Sequence, residues 1–106
     1  MPIAMHKALL MRLRRSRRLF PRYGVKKLEI FGSVARGEAK RGSDVDLIAT
    51  FNKTPGLFGL VEFQRELEKA LGVPVDLLDS QTVAGMTNPY RRAAINADRK
   101  VIYKKR

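Results

Sequence analysis

Residues 31–47, FGSVARGEAKRGSDVDL, decide how the chain is read. A glycine-serine pair, Gly32-Ser33, ends an apolar run, and ten residues later Asp44 and Asp46 open another. Within VDLIATF, residues 45–51, strand alternation puts Val45, Leu47, Ala49 and Phe51 on one face and Asp44, Asp46 and Ile48 on the other. The two aspartates then stand about 7 Å apart along the strand. Carboxylates held so close repel unless a proton or cation lies between them. Mg²⁺ is the natural cation, because it takes oxygen ligands and keeps waters that substrate phosphates can replace. Taken alone, an Asp-x-Asp is also what a strand start and a solvated aspartate produce by accident.

Working backwards, VKKLEIF, residues 25–31, reads as a strand with Leu28 and Ile30 on one side. Gly32 lets backbone approach a ligand, and Ser33 with the following N–H groups can form an anion-binding turn. It is neither a Walker A motif nor a dinucleotide fingerprint. A short helical turn fits Val34 to Arg36, with loop from Gly37 to Ser43. Only Gly32 to Asp44 separates the two strands. A parallel crossover needs about a dozen residues or more including its helix, so these strands are expected to be antiparallel.

Residues 3–20 read as one helix, with Met5, Leu9 and Leu13 recurring every four residues and Phe20 nearby. Its other faces carry Lys7, Arg12, Arg14, Arg15, Arg17 and Arg18. A second helix is expected after Thr54 as N-cap and Pro55 as first residue, with Leu57, Leu60, Val61, Gln64, Leu67 and Leu71 on its buried face and Gly72 closing it. VPVDLLD, residues 73–79, reads as a third strand. Thr87 or Asn88 can cap a helix through Ala97, and KVIYKK forms a last strand or tail. The fold class expected is α/β (α+β): one domain over residues 1–106, a small mixed sheet flanked by helices.

Asp76 lies inside the apolar third strand, where an unpaired buried carboxylate is costly. If that strand adjoins the second, Asp76 faces Asp44 and Asp46. Asp79 competes for the role but shares its face with Val75 and Leu77. A phosphate-holding turn, a carboxylate pair and a third acid are together the equipment for metal-assisted nucleotidyl transfer, in which cations clamp the attacking and leaving oxygens.

The chain has 106 residues, 22 basic against 10 acidic, for a net charge of +12. That excess attracts polyanions without naming one. It holds no cysteine and one histidine, His6, which excludes a disulfide framework and the usual zinc sites. With no signal peptide and no bilayer-length apolar run, a cytoplasmic protein is expected. The arginines of the first helix predict weak, salt-sensitive nucleic-acid binding, but no aromatic stacking platform accompanies them in the sequence, which argues against specific recognition.

FGSVARGEAKRGSDVDL resembles the Gly-Ser, ten residues, Asp-x-Asp signature of the DNA polymerase beta-like nucleotidyltransferase superfamily. With ARGE after the serine and SDVDL at its end, it is similar to the minimal nucleotidyltransferase (MNT) branch. The likeness runs through LFGLVEFQRELEKALGVPVDLLD and covers most of residues 20–103. The resemblance implies that Gly32 and Ser33 approach the triphosphate, that Asp44 and Asp46 bind Mg²⁺, two ions in all, and that Asp76 is a metal ligand or the base for the attacking hydroxyl. Arg36 is either a phosphate contact or a surface arginine bracing the turn. It also implies a function: transfer of AMP from ATP to a tyrosine of a partner HEPN-domain ribonuclease toxin, which silences it. The alternative is a non-catalytic antitoxin that neutralises its partner by binding alone.

Overall fold

The computed structural model describes residues 3–38 and 43–105. Residues 39–42 of the expected loop, and the side chains of Met5 and His6, lie outside what it describes. The elements in chain order are α1 (Ile3–Arg15), α2 (Leu19–Arg22), β1 (Val25–Phe31), α3 (Gly32–Ala35), β2 (Val45–Phe51), α4 (Gly56–Leu71), β3 (Val75–Asp79), α5 (Ser80–Ala84), α6 (Pro89–Asp98) and β4 (Lys100–Lys104). The four strands form one sheet in the order β3-β2-β1-β4. β1 is antiparallel to both β2 and β4, and β2 is parallel to β3, so the sheet is mixed. The short link after β1 permits only the antiparallel return, and α4 supplies the crossover that makes β2 and β3 parallel.

Strand alternation sends apolar side chains to both faces. On one, Leu28 and Ile30 of β1, Val45, Leu47 and Ala49 of β2, and Val75 and Leu77 of β3 form the main core with Leu9 and Leu13 of α1, Phe20, and Phe63, Leu67 and Leu71 of α4. Phe20 meets Phe63 and Tyr103 edge-on, with ring centroids 6.1 and 4.8 Å apart. Arg12 Nη1 donates to the Leu71 carbonyl at 2.8 Å, tying α1 to the end of α4. On the opposite face, Phe31, Ile48, Val83 and Ile95 form a smaller core under α5 and α6, with Leu78 and Met86 at its margin. Asp46 and Asp76 belong to this second face.

The expected helix over 3–20 is broken. α1 ends at Arg15, and residues 16–18 turn before α2 begins. Ser16 Oγ donates to the Arg12 carbonyl at 2.8 Å, and the Ser16 N–H is shared between Arg12 and Leu13 carbonyls. Arg14, Arg17 and Arg18 would stack at spacings of three and four on a continuous helix, where like charges repel. Pro21 would also clash with the Arg17 carbonyl there.

α4 starts one residue later than expected. Pro55, not Thr54, occupies the cap without a side-chain bond, and Gly56 turns the chain at φ +79°. Its buried stripe is Phe63, Leu67 and Leu71, while Leu57 and Val61, expected inside, are 74% and 39% exposed. The apolar side chains of the first turn reach no neighbour that covers them. β3 begins at Val75 rather than Val73, because Pro74 has no N–H for a ladder; its carbonyl accepts instead from Val45 N at 2.9 Å. α5 was not expected from the sequence. Its cap is Asp79, whose Oδ1 accepts from Gln81 N at 2.8 Å, so that this aspartate serves a helix start. Asn88 caps α6 as anticipated, accepting from Tyr90 N and Arg91 N.

Candidate active site

The site lies where the second face runs out at the ends of the central strands. Phe31 pairs with Asp46, and Asp46 pairs with Asp76, so one row across three strands reads Phe31-Asp46-Asp76. The next row, Glu29-Ile48-Leu78, is the floor beneath α5 and α6. The alternation that made Asp46 face away from the main core thus leaves two carboxylates side by side on adjacent parallel strands. Two side chains of α4 fasten that register: Gln64 Nε2 donates to the Val75 carbonyl at 2.8 Å, and Glu68 Oε2 accepts from Val75 N at 2.9 Å.

Gly32 faces Asp46. Its φ is +73°, and a Cβ built on it would lie 2.2 Å from Asp46 Oδ2. Both facts call for glycine, one through backbone conformation and one through space. α3 then carries Ser33, half-buried, and Arg36 caps its end. Glu38 N closes the turn by donating to the Ser33 carbonyl at 2.8 Å.

An open cavity of about 290 Å³ lies in front of this row, lined by Gly32, Arg36, Asp46 and Asp76 from the sheet side and by Arg91, Ala94, Ile95 and Asp98 from α6. Arg36 is already engaged there: Nε donates to Glu38 at 2.7 Å and Nη1 to Asp98 at 2.5 Å. It therefore braces α3 against α6 while lining the cavity. Arg91 forms no ion pair among the described residues.

Asp44 sits just before β2 and is exposed, outside the cavity wall. It still acts on its neighbour. The Asp46 carboxyl is pushed above the ordinary carboxylate range, first by burial, then by the charges of Asp76 and Asp44, while Arg36 and Arg91 oppose the shift. Among the described residues no three acidic or histidine side chains converge as a set that could hold a metal ion. The structure brings Gly32, Arg36, Asp46 and Asp76 together around one space, and leaves Asp44 at its margin and Ser33 beside it on α3.

Sequence reasoning missed Arg91 and Asp98. Their signal was present: residues 91, 94, 95 and 98 share one helical face. What the stripe faces is decided only by packing.

A mixed sheet of this order, with paired carboxylates at the ends of its central strands beside a glycine-opened turn, defines a nucleotidyltransferase-type domain. The profile of the family described as “Nucleotidyltransferase domain” matches residues 10–102, and the chain belongs to that family. It is 46% identical over 57 residues to the protein adenylyltransferase MntA of Thermococcus cleftensis, an alignment covering 54% of this chain and 58% of that one. The match thus spans less than two thirds of that relative. A solved structure described as a candidate minimal nucleotidyltransferase is 34% identical, with a TM-score of 0.65, over 86% of this chain and 93% of that one. The fold is also shared with a chain of the complex of a tri-AMPylated Shewanella oneidensis HEPN toxin with its MNT antitoxin, at a TM-score of 0.63 and 16% identity over 90% of this chain and 71% of that chain. Among the described residues no helix is long and apolar enough to cross a membrane.

Proposed function

We propose that this chain is a Mg²⁺-dependent protein adenylyltransferase that moves AMP from ATP to a tyrosine hydroxyl of a partner HEPN-type ribonuclease toxin, acting as its antitoxin in the cytoplasm. The observation that carries the reading is the juxtaposition of Gly32 and Asp46. The absence of a side chain at Gly32 lets the Asp46 carboxylate lie against the backbone of the turn, at the wall of the open cavity and in register with Asp76, so that a phosphate entering that cavity meets the turn and the carboxylate pair together.

The donor set suits Mg²⁺: it is all carboxylate oxygen, and the raised Asp46 carboxyl is the state that a nearby cation relieves. Asp44 and Asp46 would hold the ion, with Asp76 beside them. Once bound, Mg²⁺ neutralises phosphate charge. The remaining work falls to the chain. Gly32 and Ser33 seat the triphosphate, and Arg91, with Arg36, offsets negative charge on the departing diphosphate. Asp76, exposed at the cavity wall, accepts the proton of the acceptor hydroxyl as its oxygen attacks the α-phosphorus. The new O–P bond forms as the bond to the diphosphate breaks, and the diphosphate leaves with its electron pair.

The test is a transfer assay. The chain is co-purified with the product of its neighbouring gene and supplied with Mg²⁺ and ATP labelled at the α-phosphate. Label and AMP mass on a partner tyrosine, absent with Asp46→Ala, are expected. A stable complex and a silenced partner without label would instead establish an antitoxin that works by binding.

A further inference from the structure

We propose that the groove between α1 and β4, on the layer opposite the carboxylates, is a docking site for an acidic, amphipathic helix of a partner protein. The inference rests on this groove and not on the transfer chemistry.

The groove is an open cavity of about 470 Å³. Its floor is aliphatic and aromatic: Leu10, Leu13, Phe20, Ile30 and Ile102, with Tyr103 at one side. Ile30 marks the layer, for its side chain enters the main core whereas its neighbours Glu29 and Phe31 face the other way. β4 is the edge strand, and Ile102 and Tyr103 are only partly buried against the main core. Leu13, Phe20 and Ile30 are buried at the bottom of the groove, and Leu10, Ile102 and Tyr103 are the part of its floor left incompletely covered.

The rim is cationic. Arg14 and Arg17 stand on the α1 side, and Lys100 and Lys104 on the β4 side. Arg14 and Arg17 also wall a second cavity of about 440 Å³ lined only by Arg14, Arg15, Arg17 and Arg18. None of these four arginines forms an ion pair among the described residues. Clustered guanidiniums left without counter-charge beside an apolar floor are complementary to a surface carrying carboxylates around bulky apolar side chains.

Other occupants fit less well. A second copy would bring the same arginines, and a net charge of +12, against them. An added strand is disfavoured because lysines at both ends of β4 blunt its edge. Nucleic acid would match the arginines but would press polar base edges onto an aliphatic floor, at a cost in desolvation. An amphipathic helix lays an apolar stripe into such a groove and leaves its acidic faces for the rim.

The experiment uses the full chain and a fluorescein-labelled synthetic helix with leucines at helical spacing and glutamates elsewhere. Its controls are a scrambled peptide of identical composition, a single-stranded RNA and phosphatidylserine vesicles. Anisotropy should show the amphipathic peptide binding about tenfold more tightly than the scrambled one, and Arg14→Glu with Arg17→Glu should lose about tenfold. Ile102→Ser should weaken the amphipathic peptide alone, and Lys104→Glu is a surface variant that checks the rim should the former fold poorly. Equal affinity for both peptides would overturn the proposal, since charge without the groove would suffice. So would tighter binding of RNA with a steep salt dependence, or preference for the vesicles, in either case unaffected by Ile102→Ser.

Discussion

Gly32 stands against Asp46 with no room for a single added carbon: a Cβ there would lie 2.2 Å from Asp46 Oδ2, on a backbone whose φ is +73°. Gly32→Ala should therefore cost about 1–2 kcal/mol from backbone strain alone. The clash is with the far end of a side chain, so Asp46 will swing away and the fold will survive. The expected result is a modest fall in the urea midpoint and a loss of transfer activity of about 100-fold, because a reacting group displaced by an ångström is enough.

Asp46→Asn should separate stability from activity. Burial and two neighbouring carboxylates raise the Asp46 carboxyl above its ordinary value. Its ionisation therefore opposes folding: the folded state is favoured most below the unfolded-state pKa, and that advantage is lost as pH rises through the raised folded pKa. In metal-free buffer at neutral pH the Asn variant should melt at a higher temperature than the parent, with the gap closing toward acid pH. Transfer should be abolished. Calorimetry across pH checks the first outcome and the labelled-ATP assay the second.

Glu29 and Arg99 make the opposite case. The Glu29 side chain is 7% exposed and is gripped at both oxygens, by Arg99 Nε at 3.0 Å and Nη2 at 2.6 Å. The arginine holds its carboxyl below the usual range. That contribution is present above the ordinary glutamate pKa and is lost as pH falls through the lowered one. Arg99→Ala removes both short hydrogen bonds and leaves the buried carboxylate with only Lys27, whose Nζ lies 3.6 Å from Oε1, and should cost about 2 kcal/mol at pH 7. Urea titrations at falling pH should show the parent converging on Glu29→Gln.

Arg91 is the cation facing Asp46 and Asp76 from α6 without an ion pair of its own among the described residues. Arg91→Ala should raise KM for ATP about tenfold, the worth of one charge-assisted contact, while leaving the melting temperature within a degree or so, as surface substitutions do. Arg91→Lys should recover part of the loss. An unchanged KM would remove Arg91 from the nucleotide site.

On α4, Phe63 is fully buried and Phe58 is 89% exposed. Phe63→Ala should cost about 3–5 kcal/mol in chemical denaturation, whereas Phe58→Ala should change stability by less than about 0.5 kcal/mol.

Much of the site was legible before the fold was seen, because it rests on short-range rules. Alternation in VDLIATF put Asp46 on the face away from Leu47, and the brief link after Phe31 dictated the antiparallel pairing that sets Gly32 beside it. The same alternation in VDLLD pointed Asp76 the same way. Helix caps were half legible: Asn88 accepts bonds from its own helix, but Pro55 holds the cap expected of Thr54, and the helix that Asp79 caps was not expected.

The sequence by itself determined which strand residues alternate, that the chain returns antiparallel after Phe31, and that Asp46 and Ile48 share a face, since each depends on neighbours a few positions apart. Only the tertiary structure decided that Arg91 and Asp98 close the cavity over Asp46, that Arg99 reaches across 70 residues to Glu29, and that α4 buries Phe63 instead of Val61. Those outcomes depend on where helices settle on the sheet. Side-chain packing between distant segments sets that placement, and no local period encodes it.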